Sequence, residues 1–391
     1  MKIIDINVFH ANAGWRPWTF IKITTDDGLI GWSESSESHG SPKGIEGVIS
    51  DLKILLIGKN PLEINKILSL LYSRTMQSNG SIIQKAIAGI ENALWDIKGK
   101  SLNVSVRELL GGSVREKVEL YWSHCGTSRV RASELINKPK IQTLDDLEIF
   151  SEEIKHSGFK TIKTNIAILN EEPHIYMPGF AKSGGWPDLN YSKELIEAID
   201  LWVSNFRKFL GKNINLALDL NFNFRNEGFK RICKEIEKYN LAWIEIDSYD
   251  PKSLREIKTS TSIPITSCEN LYGLNEYLPF FESKSMDITS IDVIWNGLIG
   301  SIQIANMAEI NGMNVTCHNF NGHLSTFISM HFCSIINNLK IAEIDVDDVP
   351  WRDELFSSKP TIKNGEFEFN TEPGWGCNLN ESALQKYKWK G

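Results

Sequence analysis

Cysteine is scarce in this sequence: six in 391 residues, with no Cys-x-x-Cys pair. That argues against a disulfide scaffold and for reduced thiols in a cytoplasmic setting. Long apolar runs are also missing, since none approaches the roughly 20 residues needed to span a bilayer. The opening MKIIDINVFH starts as a strand and lacks the apolar core of a signal peptide. Positive charge is not in excess, with 42 Lys and Arg against 49 Asp and Glu and a formal net charge of −7. Neither nucleic acid nor an acidic membrane surface is therefore an expected partner. No G-x-x-x-x-G-K-[ST] and no strand-borne G-x-G-x-x-G occurs, so nothing suggests a nucleotide cofactor. What is present is ordinary for a globular protein: 41% hydrophobic residues, in a chain long enough for an α/β barrel of about 250 residues and a second unit.

The stretch from Asn213 to Glu269 organises the rest. Three segments, 214–221 (INLALDLN), 241–247 (LAWIEID) and 263–269 (IPITSCE), read as strands that end alike. Alternation of side chains puts Asp219, Glu245 and Glu269 on inward faces at their C-terminal ends. Their spacings of 26 and 24 residues fit one strand, one helix and two loops, and successive parallel strands of a barrel would bring the ends together. Each carboxylate alone could be a helix N-cap or a solvated loop residue. Three in one phase, with no basic residue among them, call for a bound cation, and all-oxygen ligation points to Mg²⁺. Cys268 and Cys317 adjoin inward residues but alternate outward, so they read as core.

The rhythm extends in both directions. A first barrel strand is expected at 118–124, and a second at 158–166 that turns Lys163 and Asn165 inward. Segment 286–295 turns Asp292 inward and ends at Trp295; 313–319 turns His318 inward; 340–345 turns Glu343 inward. The polar ends again fall 23 to 26 residues apart, at the barrel face where active sites sit. Residues 167–190, rich in Gly, Pro and aromatics, form a long insertion expected to act as a lid or subunit contact.

Upstream, residues 1–35 read as an antiparallel start with a turn at Asp26-Asp27-Gly28. Between the first two strands lies a loop carrying Trp15, Arg16 and Trp18. It is either a packed turn or a lid that closes on an anionic ligand. Residues 44–75 look helical, and 86–112 reads as a buried helix, a turn and a short helix ending at Gly111-Gly112.

In that last stretch Ala86, Ala88-Gly89, Glu91, Ala93-Leu94, Asp96, Gly99-Lys100 and Leu109-Leu110-Gly111 resemble the signature of the mandelate racemase/muconate lactonizing group of the enolase superfamily. The usual Pro before the short helix is Ser105 here. The resemblance implies an α/β protein in which an α+β capping domain (1–115, joined by the returning tail 350–391) covers a TIM-like (β/α)7β barrel at 116–349. Enolase-superfamily sites as a class pair a Lys or His base with Mg²⁺, so that pairing comes with the resemblance. Where the group carries Lys-x-Lys, this chain has Lys163-Thr164-Asn165, and an amide cannot take a proton. The group's His–Asp dyad is matched by His318 and Asp292. Glu343 matches a position that hydrogen-bonds the substrate carboxylate when protonated.

A divalent ion on Asp219, Glu245 and Glu269 can bind a substrate carboxylate and stabilise the charge left when its α-proton departs. His318 is the candidate base, with Asp292 fixing its tautomer. Lys163 supplies positive charge nearby, or else forms a barrel-interior salt bridge. Asn165 and Asn221 can hydrogen-bond hydroxyls, while Glu343, Trp15, Arg16, Trp18 and Trp295 complete the expected substrate contacts. With no second base at Asn165, one histidine would serve both halves of a dehydration. The expected activity is Mg²⁺-dependent conversion of an aldonate or aldarate to a 2-keto-3-deoxy acid by a hydro-lyase, within carbohydrate catabolism. A racemase, epimerase or cycloisomerase, or a non-catalytic member, are the alternatives. The expected partners are an acid-sugar carboxylate and further copies of the same chain.

Overall fold

The computed structural model describes residues 1–78, 80–178 and 189–391. Its N-terminal sheet is antiparallel, with β1 (Ile3–Asn12), β2 (Pro17–Thr25) and β3 (Ile30–Glu34) in that order. The expected helical stretch 44–75 is two helices, α1 (Pro42–Leu56) and α2 (Ile64–Arg74). Gly58 at φ +80 and Pro61 interrupt it, because one takes a left-handed turn and the other lacks an amide proton. Ser41 caps α1 by accepting from Gly44 N–H at 3.2 Å, with Pro42 at the first helical position.

Helix α3 (Ser81–Leu102) runs three residues past Gly99 and stops at left-handed Asn103. Its signature residues are fasteners. Asp96 accepts from Trp32 N–H at 2.8 Å on β3, Trp375 N–H at 3.0 Å in the tail, and Lys100 at 2.5 Å. Glu91 accepts from Trp95 Nε1 at 3.2 Å and from Ile299 N–H at 2.7 Å on a barrel helix. A Cβ on Gly99 would meet the Gly374 Cα at 2.7 Å, so only glycine admits the tail there. Ser105, in place of proline, opens α4 (Val106–Leu109); its N–H and Oγ both donate to Glu108 at 2.7 Å, a reciprocal N-terminal cap.

The barrel is closed and parallel. Its strands are β4 (Lys117–Ser123), β5 (Thr161–Thr164), β8 (Asn215–Asp219), β9 (Ile244–Glu245), β10 (Ile265–Ser267), β11 (Ile288–Ile291), β12 (Asn314–Cys317) and β13 (Leu339–Asp345). β13 pairs back onto β4, Glu343 opposite Tyr121, which closes the ring. The small hairpin β6 (Ala167–Ile168) and β7 (His174–Ile175) opens the insertion after β5. The part of that insertion at 179–188 lies outside the described residues.

The tail forms the hairpin β14 (Thr361–Lys363) and β15 (Glu366–Glu368), lays β15 antiparallel against β4, then passes Gly374 and reaches the N-terminal sheet, where Lys388 bridges Ala11. It therefore joins both layers, whereas the sequence reading sent it only to the cap. Among the described residues no helix is long and apolar enough to cross a membrane.

Candidate active site

The C-terminal ends of the barrel strands, together with Trp15, the 37–41 loop and the start of α3 from the N-terminal domain, line a cavity of about 350 Å³. Register builds its floor. In the parallel ladder Asp219 stands directly opposite Glu245, so two carboxylates on neighbouring strands share one face. Glu269 follows β10 after Cys268, which sits at φ +88, so the strict alternation that predicted its direction ends at Ser267. Glu269 nevertheless lines the cavity, as do Asp219, Lys163, Asn165, Asn221, His318 and Glu343. Glu245 lies beneath them and is 1% exposed.

The expectation that no basic residue stands among the carboxylates is corrected, and the alternative of a barrel-interior salt bridge at Lys163 is what the structure has. Lys163 Nζ lies 2.6 Å from Glu245 Oε2, 3.0 Å from Glu343 Oε1 and 3.3 Å from Asp219 Oδ2. Burial opposes the Lys163 charge, but these anions outweigh it and hold its pKa well above that of a free lysine. One ammonium does not neutralise the cluster. Burial pushes Glu269 up to about 8, and Asp247 to about 8 with Asp219 and Glu245 adding repulsion.

Among the described residues no three His, Cys, Asp or Glu side chains stand close enough to hold a metal ion as they are. Glu245 Oε1 and Glu269 Oε2 are buried without a hydrogen-bond partner, a cost that a hard cation would relieve. The donor set therefore fits a divalent ion if the side chains draw in around it.

The expected dyad is assembled. His318 Nδ1 donates to Asp292 Oδ2 at 2.7 Å, and Asp292 also accepts from Trp295 N–H at 3.0 Å. Nε2 faces Glu269 Oε2 at 3.6 Å and Glu343 Oε2 at 3.9 Å. Burial works against the imidazolium, but Glu269, Asp292 and Glu343 overcome it and raise the His318 pKa well above the usual histidine range.

Glu343 departs from the protonated form that the resemblance implied. Burial favours its neutral state, but Lys163, His318 and His124 drive its pKa below the usual carboxylate range. It also accepts from Ser123 Oγ and from Asn319 N–H.

The remaining expectations divide. Asn165 Nδ2 donates to Asn221 Oδ1 at 3.2 Å, so the two amides act as a pair on the wall. Trp295 lines the cavity with its ring 5.1 Å from that of His318, and its Nε1 donates to Ser36 O at 2.7 Å. Trp15 lines the cavity too. Arg16 and Trp18 do not, and their assignment as substrate contacts is corrected. Arg16 is 2% exposed and donates to Asp348 Oδ2 and Phe320 O, each at 2.8 Å; Trp18 is fully buried. The buried Asp348 carboxylate draws the guanidinium inward.

Sequence reasoning missed several wall residues. Glu37 and Lys85, paired at 2.5 Å, come from the cap, with Lys85 Nζ 4.2 Å from the Trp295 ring centre. Tyr249 and Tyr272 come from loops after β9 and β10, and Arg131 and His124 from the segment after β4. For Lys85 a signal existed, since it immediately precedes the signature's Ala86. For His124 the alternation pointed the wrong way: inward Tyr121 and Ser123 leave residue 124 outward, but its φ of +47 turns the chain.

With this geometry in hand, comparison places the chain. It matches the mandelate racemase/muconate lactonizing enzyme N-terminal domain over residues 9–111 and the enolase C-terminal domain-like family over residues 150–383. The chain belongs to this group of the enolase superfamily. D-xylonate dehydratase of Haloferax volcanii is 26% identical, aligning with 100% of this chain and 90% of that protein. D-galactonate dehydratase of Klebsiella pneumoniae is 29% identical over 95% of this chain and 91% of its own length. A Burkholderia xenovorans structure, named as a candidate L-alanine-DL-glutamate epimerase and bound to magnesium and fumarate, is 39% identical with a TM-score of 0.96, covering 100% of this chain and 96% of its own.

Proposed function

We propose that this protein dehydrates an acid sugar, an aldonate or aldarate, to a 2-keto-3-deoxy acid. The observation that carries the reading is the His318–Asp292 pair at 2.7 Å on the wall of a cavity floored by under-neutralised carboxylates. Relatives named for dehydration of D-xylonate and D-galactonate support it.

Asp219, Glu245 and Glu269 would hold Mg²⁺, which would supply a Lewis acid for the substrate carboxylate. The Burkholderia protein, with magnesium and a dicarboxylate bound, supports both halves of that statement. His318 Nε2 takes the α-proton, with Asp292 at Nδ1 orienting the ring and compensating the imidazolium. It becomes available as a base once the charge of Glu269, 3.6 Å away, is engaged elsewhere. Lys163 holds positive charge beside the site. The paired amides of Asn165 and Asn221 hydrogen-bond substrate hydroxyls, and Trp15 and Trp295 pack against the sugar chain.

The Burkholderia relative's epimerase name favours a second reading, epimerisation at the α-carbon. Epimerisation needs a proton acceptor on each face, and the amide of Asn165 cannot be one. Incubation with Mg²⁺ and a panel of aldonates and aldarates, read by 2-keto acid formation and by α-deuterium uptake from D₂O, decides between them. Keto acid production supports dehydration, whereas uptake with inversion and no keto acid selects epimerisation.

A further inference from the structure

His124 and Asp345 form a second histidine–carboxylate pair at the same cavity. Nδ1 lies 3.3 Å from Asp345 Oδ2. The pair sits on adjacent strand ends, β4 and β13, where Ser123 is registered opposite Asp345. Both oxygens of Asp345 are buried without a hydrogen-bond partner, as is His124 Nδ1. The ring itself lines the cavity. Phe320 stands between the two histidines, its ring 5.1 Å from His318 and 5.7 Å from His124. His124 reaches this position only through a left-handed backbone, φ +47, which costs a non-glycine residue of order 1 kcal/mol or more.

A core histidine would be expected to satisfy its ring nitrogens. The His124 ring instead lines the cavity, and among the described residues neither of its nitrogens makes a hydrogen bond. The arrangement resembles that of His318 and Asp292 in having a carboxylate beside Nδ1 and a ring on the same chamber, but it comes from different strands and its Nδ1 contact is longer, 3.3 Å against 2.7 Å.

Resting on the dehydratase reading, we propose that His124 is the acid for the second half of the reaction, giving its Nε2 proton to the departing β-hydroxyl. His318 takes the α-proton, and the electron pair of the Cα–H bond is first held as the enolate of the substrate carboxylate; it then forms the Cα–Cβ double bond of the enol as the Cβ–O bond breaks, and that oxygen leaves as water carrying the His124 proton. Both histidines then return to their starting state by exchange with solvent, and the enol becomes the 2-keto acid. The ring that donates carries a proton on each nitrogen, and Asp345 is a positioning residue whose carboxylate, 3.3 Å from Nδ1, compensates that charge while Nε2–H gives its proton away. With base and acid on separate strands, one histidine need not serve both steps.

The test uses the full chain with Mg²⁺, D-xylonate and D-galactonate as probes. His124→Gln, and His124→Asn as a second variant suited to the left-handed backbone, are measured for α-deuterium uptake and for keto acid. The expected result is uptake within about threefold of the parent, with dehydration reduced about 100-fold or more, the scale of general acid catalysis. A 3-deoxy-3-fluoro analogue, whose fluoride needs no proton to leave, is expected to restore elimination in the variants. Dehydration within about threefold of the parent, or parallel loss of uptake and dehydration without rescue by the fluoro analogue, overturns the assignment alone. A parent protein that exchanges the α-proton with inversion but forms no keto acid, or does neither, overturns the dehydratase reading together with it.

Discussion

Lys163 Nζ and Glu245 Oε2 lie 2.6 Å apart at the bottom of the barrel mouth, where the ammonium also reaches Asp219 and Glu343. Two of those three anions belong to the proposed cation site. A lysine and a divalent ion thus address the same negative charge.

Lys163→Met should therefore destabilise the metal-free protein by about 3–5 kcal/mol, since it strands buried carboxylates. Saturating Mg²⁺ should recover much of that loss, by mass action on the folded state. Denaturation with and without Mg²⁺ measures both. An equal loss under the two conditions would separate the ammonium from the cation site.

The carboxylates themselves give a second expectation. Asp219→Asn, Glu245→Gln and Glu269→Gln should each weaken Mg²⁺ binding in calorimetry by more than the 10- to 100-fold typical of outer-sphere partners. The circular dichroism spectrum should not change. Three variants binding Mg²⁺ like the parent would place the ion elsewhere.

Arg16→Ala is expected to act on stability. The guanidinium is buried against Asp348 at 2.8 Å, and its removal should cost about 3–5 kcal/mol. KM for any acid sugar should move little at temperatures where the variant stays folded. A raised KM at unchanged melting temperature would restore the substrate-contact role.

Acid should loosen the fold through His331. Its Nδ1 accepts from Arg107 N–H at 3.2 Å, and burial depresses its pKa to about 3. In the unfolded chain the ring titrates near 6.5. Its contribution is therefore present above about 6.5 and is lost as pH falls toward the folded value. Between pH 7 and 5 the loss is about 2 kcal/mol by linkage. Urea titrations at the two pH values check this, and His331→Gln should flatten the dependence.

Much of this architecture could be read from the sequence, for identifiable reasons. Asp219 and Glu245 were legible because each closes a regular strand, where a period of two fixes the face. Asp292 and His318 followed for the same reason. The salt bridge of Lys163 to Asp219 and Glu245 was legible as an alternative, since their strands follow in order from β5; its contact with Glu343 was not, because that requires closure of the ring from β4 round to β13. His124 was missed because it takes a positive φ just past a strand end, and alternation carries no information beyond such a residue; Cys268 also has a positive φ, yet it is core and Glu269 reaches the cavity as expected. Arg16 was misplaced because a loop gives no periodicity, so burial depends on an acid 332 positions away.

The cap is fastened along particular edges. Glu34, at the end of β3, accepts from Gly322 N–H at 2.8 Å and Ser325 N–H at 2.9 Å, in the turn that follows the strand bearing His318. Burial raises Glu34 to about 7, as it does Glu91, which holds Ile299. Arg16, beside Trp15, pins the cap to Asp348 and Phe320 in the same way. An exchange of caps between relatives would therefore have to carry Glu34, Glu91 and Arg16 together with the barrel groups that each one grips.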